Sequence, residues 1–207
     1  MKRILTLTGL TLILSFSPVF AASHFLVISC SLSKTSHSAL LAEQAVKDLK
    51  AQGQDVDYID LRNYKLPHAD GHEGSAYDNR QVKEIHDRIE KADGILIASP
   101  IYLNSVASVT KNLVELTAHP HKGVLRGRVW QGKVVGFLGA SGGTSSTYSF
   151  FPLLTSLIVD SKVVVVPTFA MASSKDFNDK NQMSEETLKR VDDTTKELVR
   201  ITSALKR

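Results

Sequence analysis

The sequence predicts an α/β fold, a parallel sheet of five strands covered by helices on both faces. Three observations carry that expectation. Short runs of Val, Ile and Leu alternate with longer amphipathic runs along the chain. Most of the apolar runs are continuous rather than alternating, as strands buried on both faces must be. At 207 residues, with 43% hydrophobic and 22% charged side chains, the chain suits one globular domain with a substantial core.

The elements follow in order. His24 to Ser29 (HFLVIS) is a short run of strand formers. Ser38 to Gln52 places Leu40, Leu41, Ala45, Val46 and Leu49 at helical spacing. Asp55 to Leu61 alternates, as a strand near a sheet edge does, and Asn63 to Asn79 is a polar loop with Pro67, Gly71 and Gly74. Asn79 to Ala92 is a charged helix with Val82, Ile85 and Ile89 on one face. Gly94 to Ser99 is an apolar strand ended by Pro100, and Val106 to Ala118 is a helix. Gly132 to Gly139 is the fourth strand. Ser146 to Val159 is helical, with Pro152 requiring a late start or a kink. Lys162 to Pro167 is a buried strand, and Ser184 to Leu205 a closing helix with Ser184 and Thr187 among the capping residues. Five strand–helix units over residues 24–205 fit the flavodoxin-like order 2-1-3-4-5, a three-layer sandwich.

Residues 1–21 read as an export signal. Lys2 and Arg3 form a positive start, and Ile4 to Phe16 carries no charge. Val19 and Ala21 fit cleavage after Ala21, and the apolar run is short for a membrane span. The expected location is the periplasm, or the cytoplasm if the signal is not used. Val27 to Cys30 resembles a lipoprotein box, but cleavage there would remove the first strand. A Sec-type signal exports an unfolded chain, so any cofactor would have to be met outside.

The formal charge is +4, and without Lys2 and Arg3 it is +2. No basic run interleaved with aromatics is present, which argues against nucleic acid as a partner. Cys30 is the single cysteine, so no internal disulfide forms.

In such sheets, ligands bind beyond the carboxyl ends of the strands, near the switch point between strands 1 and 3. Three polar loops fall there. Cys30 to Ser38 (CSLSKTSHS) leads into a helix, where free N–H groups and hydroxyls of Ser31, Ser33, Ser36, His37 and Ser38 can cradle a phosphate. After the third strand, Pro100, Ile101, Tyr102, Leu103 and Asn104 offer a stiff exit, an aromatic face and hydrogen-bonding groups. After the fourth, Ser141, Gly142 and Gly143 permit close backbone approach to a flat ligand edge. Each loop alone could be an ordinary capping turn. All three on one edge describe a pocket for a planar ring with a phosphate at one end.

Those residues resemble the NAD(P)H-dependent FMN reductase and quinone reductase family. Its first loop, G-S-L-R-x-x-S-x-N, is matched at Ser31, Leu32 and Ser36, with Cys30 for Gly, Ser33 for Arg and Ser38 for Asn. Its third-strand signature is matched at Ser99, Pro100, Tyr102, Ser105, Lys111 and Asn112, with Asn104 where Gly is common. Its S-G-G loop is matched at Ser141 to Gly143. The resemblance covers Phe25 to Pro167. It implies non-covalent FMN, NADPH or NADH as donor, and a small-molecule acceptor such as a quinone or free flavin. It also implies a homodimer or homotetramer, with no essential catalytic side chain and no metal. Arg126 and Arg128 are candidates for an NADPH 2′-phosphate, or are surface charges.

Three other readings compete with this one. Gly139 to Gly143 matches the G-x-S-x-G of serine hydrolases, with Ser141 as nucleophile, but none of the seven histidines follows it. His68, Asp70 and His72, or His119 and His121, could hold a metal, but they stand among mobile-turn residues with no cysteine partner. A flavodoxin-like module without cofactor, serving in binding or assembly, is compatible with the altered first loop.

Overall fold

The computed structural model describes residues 23–71, 76–118, 128–143 and 147–206. The export-signal residues, His72, His119, His121 and Arg126 lie outside them. Five parallel strands run in the order β2-β1-β3-β5-β6: β1 His24–Ser29, β2 Asp55–Asp60, β3 Gly94–Tyr102, β5 Val134–Ser141 and β6 Val164–Ser173. A two-residue strand, β4 Ser105–Val106, folds back antiparallel on the end of β3. With β4 set aside, this is the expected 2-1-3-4-5 order.

Alternation along the strands builds two cores. Phe25, Val27, Leu96, Ala98 and Leu138 face α1 (His37–Ala51) and α5 (Glu185–Leu205). Leu26, Ile28, Ile95, Ile97 and Phe137 face α2 (Arg80–Lys91), α3 (Ser108–Ala118) and α4 (Phe151–Val159). Trp130, in a short turn ahead of β5, is fully buried against the second set, its indole N–H donating to Thr117 Oγ1 at 3.0 Å. Ser36, Asn79 and Ser184 cap α1, α2 and α5 through their side-chain oxygens.

Several boundaries differ from the sequence expectation. Strand β3 does not stop at Pro100 but runs through it to Tyr102. Pro100 can sit there because the β5 pairing of β3 ends at that residue, where a missing N–H costs little. Strand β6 continues past Pro167 to Ser173, with the pairing shifted between Val135 and Phe137 of β5. The extra residues, Pro167 among them, bulge from a sheet edge that tolerates proline. For the same reason β6 is half-exposed rather than buried. Helix α4 starts only at Phe151, behind a short turn at Thr147–Phe150, and Pro152 occupies its first turn.

Candidate flavin site

The loops after β1, β3 and β5 lie side by side on the carboxyl edge, because those strands are neighbours in the sheet. The first loop is pinned from within. Ser33 N–H donates to Ser31 Oγ at 3.2 Å, and Ser33 Oγ donates to the Thr35 carbonyl at 2.7 Å. Ser36 Oγ accepts from Ala39 N–H at 3.2 Å and lies 3.0 Å from Ser38 Oγ. The backbone N–H groups of Lys34, Thr35, Ser36, His37 and Ser38 donate to no acceptor among the described residues. They therefore remain open to an anion at the positive end of α1. Ser31 and Ser38 are buried; Ser33 is exposed; Ser36 is half-buried.

His37 is engaged elsewhere. Its ring stacks on Phe177, with centroids 3.9 Å apart and planes 4° from parallel. Phe177 follows β6, so the segment after the edge strand crosses to the start of α1.

After β3, Leu103 and Asn104 take φ of 49° and 58°. Two successive positive values between paired Tyr102 and Ser105 make a tight two-residue hairpin. That requirement accounts for Asn104 where glycine is common, since asparagine tolerates this region. The hairpin holds Leu103 fully exposed and Tyr102 59% exposed at the rim. Pro100 and Ile101 are buried within β3. Ser99, fully buried, ties the hairpin down: its Oγ lies 2.8 Å from Thr110 Oγ1 and accepts from Ala107 N–H at 3.2 Å. Asn112 secures the loop after β2, accepting from Ala69 N–H and donating to the Pro67 carbonyl, both at 2.8 Å. Lys111 pairs with Glu115 one turn along α3. These motif residues hold loops in place.

After β5, Ser141 Oγ donates to the Gly143 carbonyl at 2.9 Å, and Ser174 Oγ donates to the Gly142 carbonyl at 2.8 Å. No histidine among the described residues hydrogen-bonds Ser141, so the hydrolase arrangement is not built. Gly142 and Gly143 are exposed, and a Cβ on either would meet nothing within 4 Å.

A depression of about 350 Å³ lies at the start of α1, lined by Lys34, Thr35, Ser36, His37 and Arg62 among others. A larger one, about 440 Å³, lies on the flank between α3 and α4 and touches none of the three loops. The carboxyl-edge chemistry outweighs size in locating the site. Arg128 precedes β5 and so stands at the opposite, amino edge, away from any nucleotide bound by these loops. Cys30 is buried, and burial pushes its thiol up to about 12. Its loss of ionisation excludes it as a nucleophile at neutral pH.

A match to the NADPH-dependent FMN reductase family spans residues 23–177, from β1 to the segment beyond β6. The chain belongs to this family. It is 28% identical over 149 residues to the NAD(P)H-dependent FAD/FMN reductase of Geobacillus thermodenitrificans, covering 70% of this chain and 75% of that one. It is 29% identical over 142 residues to an iron–sulfur flavoprotein of Methanocaldococcus jannaschii, covering 64% and 72%. The fold is shared with the flavoenzyme NAD(P)H:(acceptor) oxidoreductase FerB of Paracoccus denitrificans, at a TM-score of 0.70 and 20% identity over 88% of this chain and 98% of that one. An NADH:FMN oxidoreductase superposes with a TM-score of 0.69 at 20% identity, covering 87% and 90%.

The protein is thus a flavin-dependent oxidoreductase, with FMN as cofactor and NAD(P)H as donor. The residues present fit FMN, since five open N–H groups beside β1 suit a phosphate and the exposed glycines beside β5 leave room for a flat edge. With one cysteine, the chain cannot itself supply the four thiolates of an iron–sulfur cluster. Sequence reasoning missed three participants. Arg62 reaches the first loop from β2, Phe177 holds His37, and Ser174 fixes Gly142. All three depend on contacts between segments distant in sequence.

Proposed function

We propose that this reductase binds FMN along the carboxyl edge and passes its electrons to a planar aromatic acceptor such as a quinone or free flavin. The open N–H groups of Lys34 to Ser38 carry the placement of the phosphate. The hairpin tip supports the acceptor class: Tyr102 and Leu103 present apolar surface to solvent beside the ring position, suited to a flat, poorly hydrated molecule rather than a metal ion. Bound FMN supplies the hydride chemistry, while the chain positions it and leaves one face open. No side chain need exchange a proton for turnover.

Helix α4 carries no charged residue, and Phe151, Ile158 and Val159 are exposed along it. This supports a homodimer or homotetramer as the working assembly. Export is supported by the sequence, with Lys2 and Arg3 ahead of the uncharged run Ile4 to Phe16 and a cleavage pattern ending at Ala21. In that setting the chain folds first and takes up FMN afterwards.

The test uses residues Ala22 to Arg207, purified with FMN and freed of excess cofactor. Retained flavin absorbance, bleached by NADPH or NADH under nitrogen and restored faster by benzoquinone or FMN than by ferric citrate, is expected. Faster restoration by ferric citrate overturns the acceptor class. A folded protein with no FMN affinity overturns the site and favours the cofactor-free module.

A further inference from the structure

The first loop carries Ser33 where the family resemblance has arginine, yet a guanidinium reaches this loop from the neighbouring strand. Arg62 stands in the turn after β2, which pairs with β1. Its Nε lies 2.9 and 2.8 Å from the two Asp60 carboxylate oxygens, and its Nη2 donates to Asp60 Oδ2 at 2.5 Å. Asp60 Oδ1 also accepts the Arg62 backbone N–H at 3.0 Å, so residue and side chain are fixed together. The remaining arm points to the loop, where Nη1 donates to the Lys34 carbonyl at 3.3 Å. Arg62 lines the same depression as Lys34, Thr35, Ser36 and His37.

We infer that Arg62 is a positioning residue for the flavin phosphate, replacing from outside the loop the arginine that position 33 lacks. The inference rests on the placement of the phosphate in the Lys34 to Ser38 cradle. Residues Leu32 to Thr35 are exposed, and the loop's own hydrogen bonds tie serines only to near neighbours. The Arg62 contact ties the loop to the sheet. With Lys34 held, the N–H groups that follow keep one orientation before ligand arrives, and the ordering cost of binding falls. The fork to Asp60 is what aims Nη1, and lysine has no second arm with which to copy it. Burial alone would raise the Asp60 carboxyl, but its contacts with Arg62 outweigh this and leave it lowered, so the fork persists at neutral pH.

The experiment compares FMN with riboflavin, which lacks the phosphate, by fluorescence titration of the full folded chain. The proteins are the parent, Arg62→Met, Arg62→Lys, and Arg62→Met combined with Ser33→Arg. Arg62→Met is expected to lose about tenfold in FMN affinity, one charge-assisted hydrogen bond's worth, with riboflavin affinity unchanged. Arg62→Lys keeps the charge without the fork and should lose most of the same preference. Adding Ser33→Arg should restore it. Amide hydrogen exchange at Ser33 and Ala39, whose N–H groups are held by Ser31 and Ser36 within the loop, should be faster in flavin-free Arg62→Met than in the flavin-free parent. A parental FMN-to-riboflavin ratio in folded Arg62→Met overturns the inference alone. A parent with no preference for FMN overturns the phosphate placement on which it rests.

Discussion

His37 lies flat against Phe177, 3.9 Å between ring centroids, and so joins the start of α1 to the segment that follows β6. A parallel contact of this kind contributes on the order of 1 kcal/mol beyond the area it buries. His37→Ala should therefore lower the free energy of urea unfolding by about that amount, whereas His37→Phe preserves the stack and should change it little. Both variants should bind FMN within about twofold of the parent, since the backbone N–H of residue 37 is kept. A tenfold loss in His37→Phe would return the imidazole to the flavin site.

Ser99 and Thr110 carry the next prediction. Ser99→Ala removes the second acceptor of the buried Ala107 N–H, which keeps its 3.0 Å bond to the Pro100 carbonyl, and takes the Ser99 hydroxyl from Thr110, a cost of about 1 kcal/mol. The cost falls on the hairpin at Tyr102, so amide exchange at Ser105 and Val106 should rise with it. Adding Thr110→Val to Ser99→Ala should cost less than the sum of the two single changes. Strict additivity in denaturant titration would show that the hydroxyls act separately.

Much of this architecture was legible in the sequence, and the reasons are physical. Continuous runs such as Gly94 to Ser99 mark buried parallel strands regardless of what packs on them, and five such strands each followed by a helix suit the flavodoxin-like order. Boundaries were less legible where a local rule was outweighed. Proline argued for strand ends at Pro100 and Pro167, but the end of a pairing and an edge bulge remove the hydrogen bond that each would have broken. In the site, serines before a helix and adjacent glycines are local signals, and they marked the loops. The Asp60–Arg62 fork and the Phe177 stack depend on β2 and β6 being brought to β1, which no local pattern encodes. The hairpin at Leu103 was hidden because its sequence lacks the usual glycine.

Acid stability should depend on Asp57. Its hydrogen bonds from Arg88, at 2.6 and 2.7 Å, hold the carboxyl below its ordinary 3.8 despite burial. A carboxyl lowered in the folded state adds stability above its unfolded value and loses it as pH falls through the folded value. Arg88 also donates to the Tyr58 carbonyl and to Tyr64 Oη, so the pair joins α2 to the sheet edge. Asp57→Asn should cost on the order of 1 kcal/mol near neutral pH. That deficit should shrink below about pH 4 as the parent loses its own charge. Parallel stability curves for parent and variant down to acid unfolding would assign the acid transition to other carboxyls.

Gly142 separates fold from function. Its φ is not positive, and a Cβ there meets nothing within 4 Å, so the fold places no demand on glycine. Gly142→Val should therefore shift the unfolding free energy by no more than about 0.5 kcal/mol, as surface changes usually do. If the flat edge of FMN approaches this backbone, the same side chain stands where the ring must lie. FMN affinity should then fall by about tenfold or more, with riboflavin affected equally because the contact is to the ring and not the phosphate. That pattern is the reverse of the one expected at Arg62, where only the phosphate-bearing ligand responds. Unchanged FMN affinity in folded Gly142→Val would move the ring away from the loop after β5 and leave the glycines as a turn.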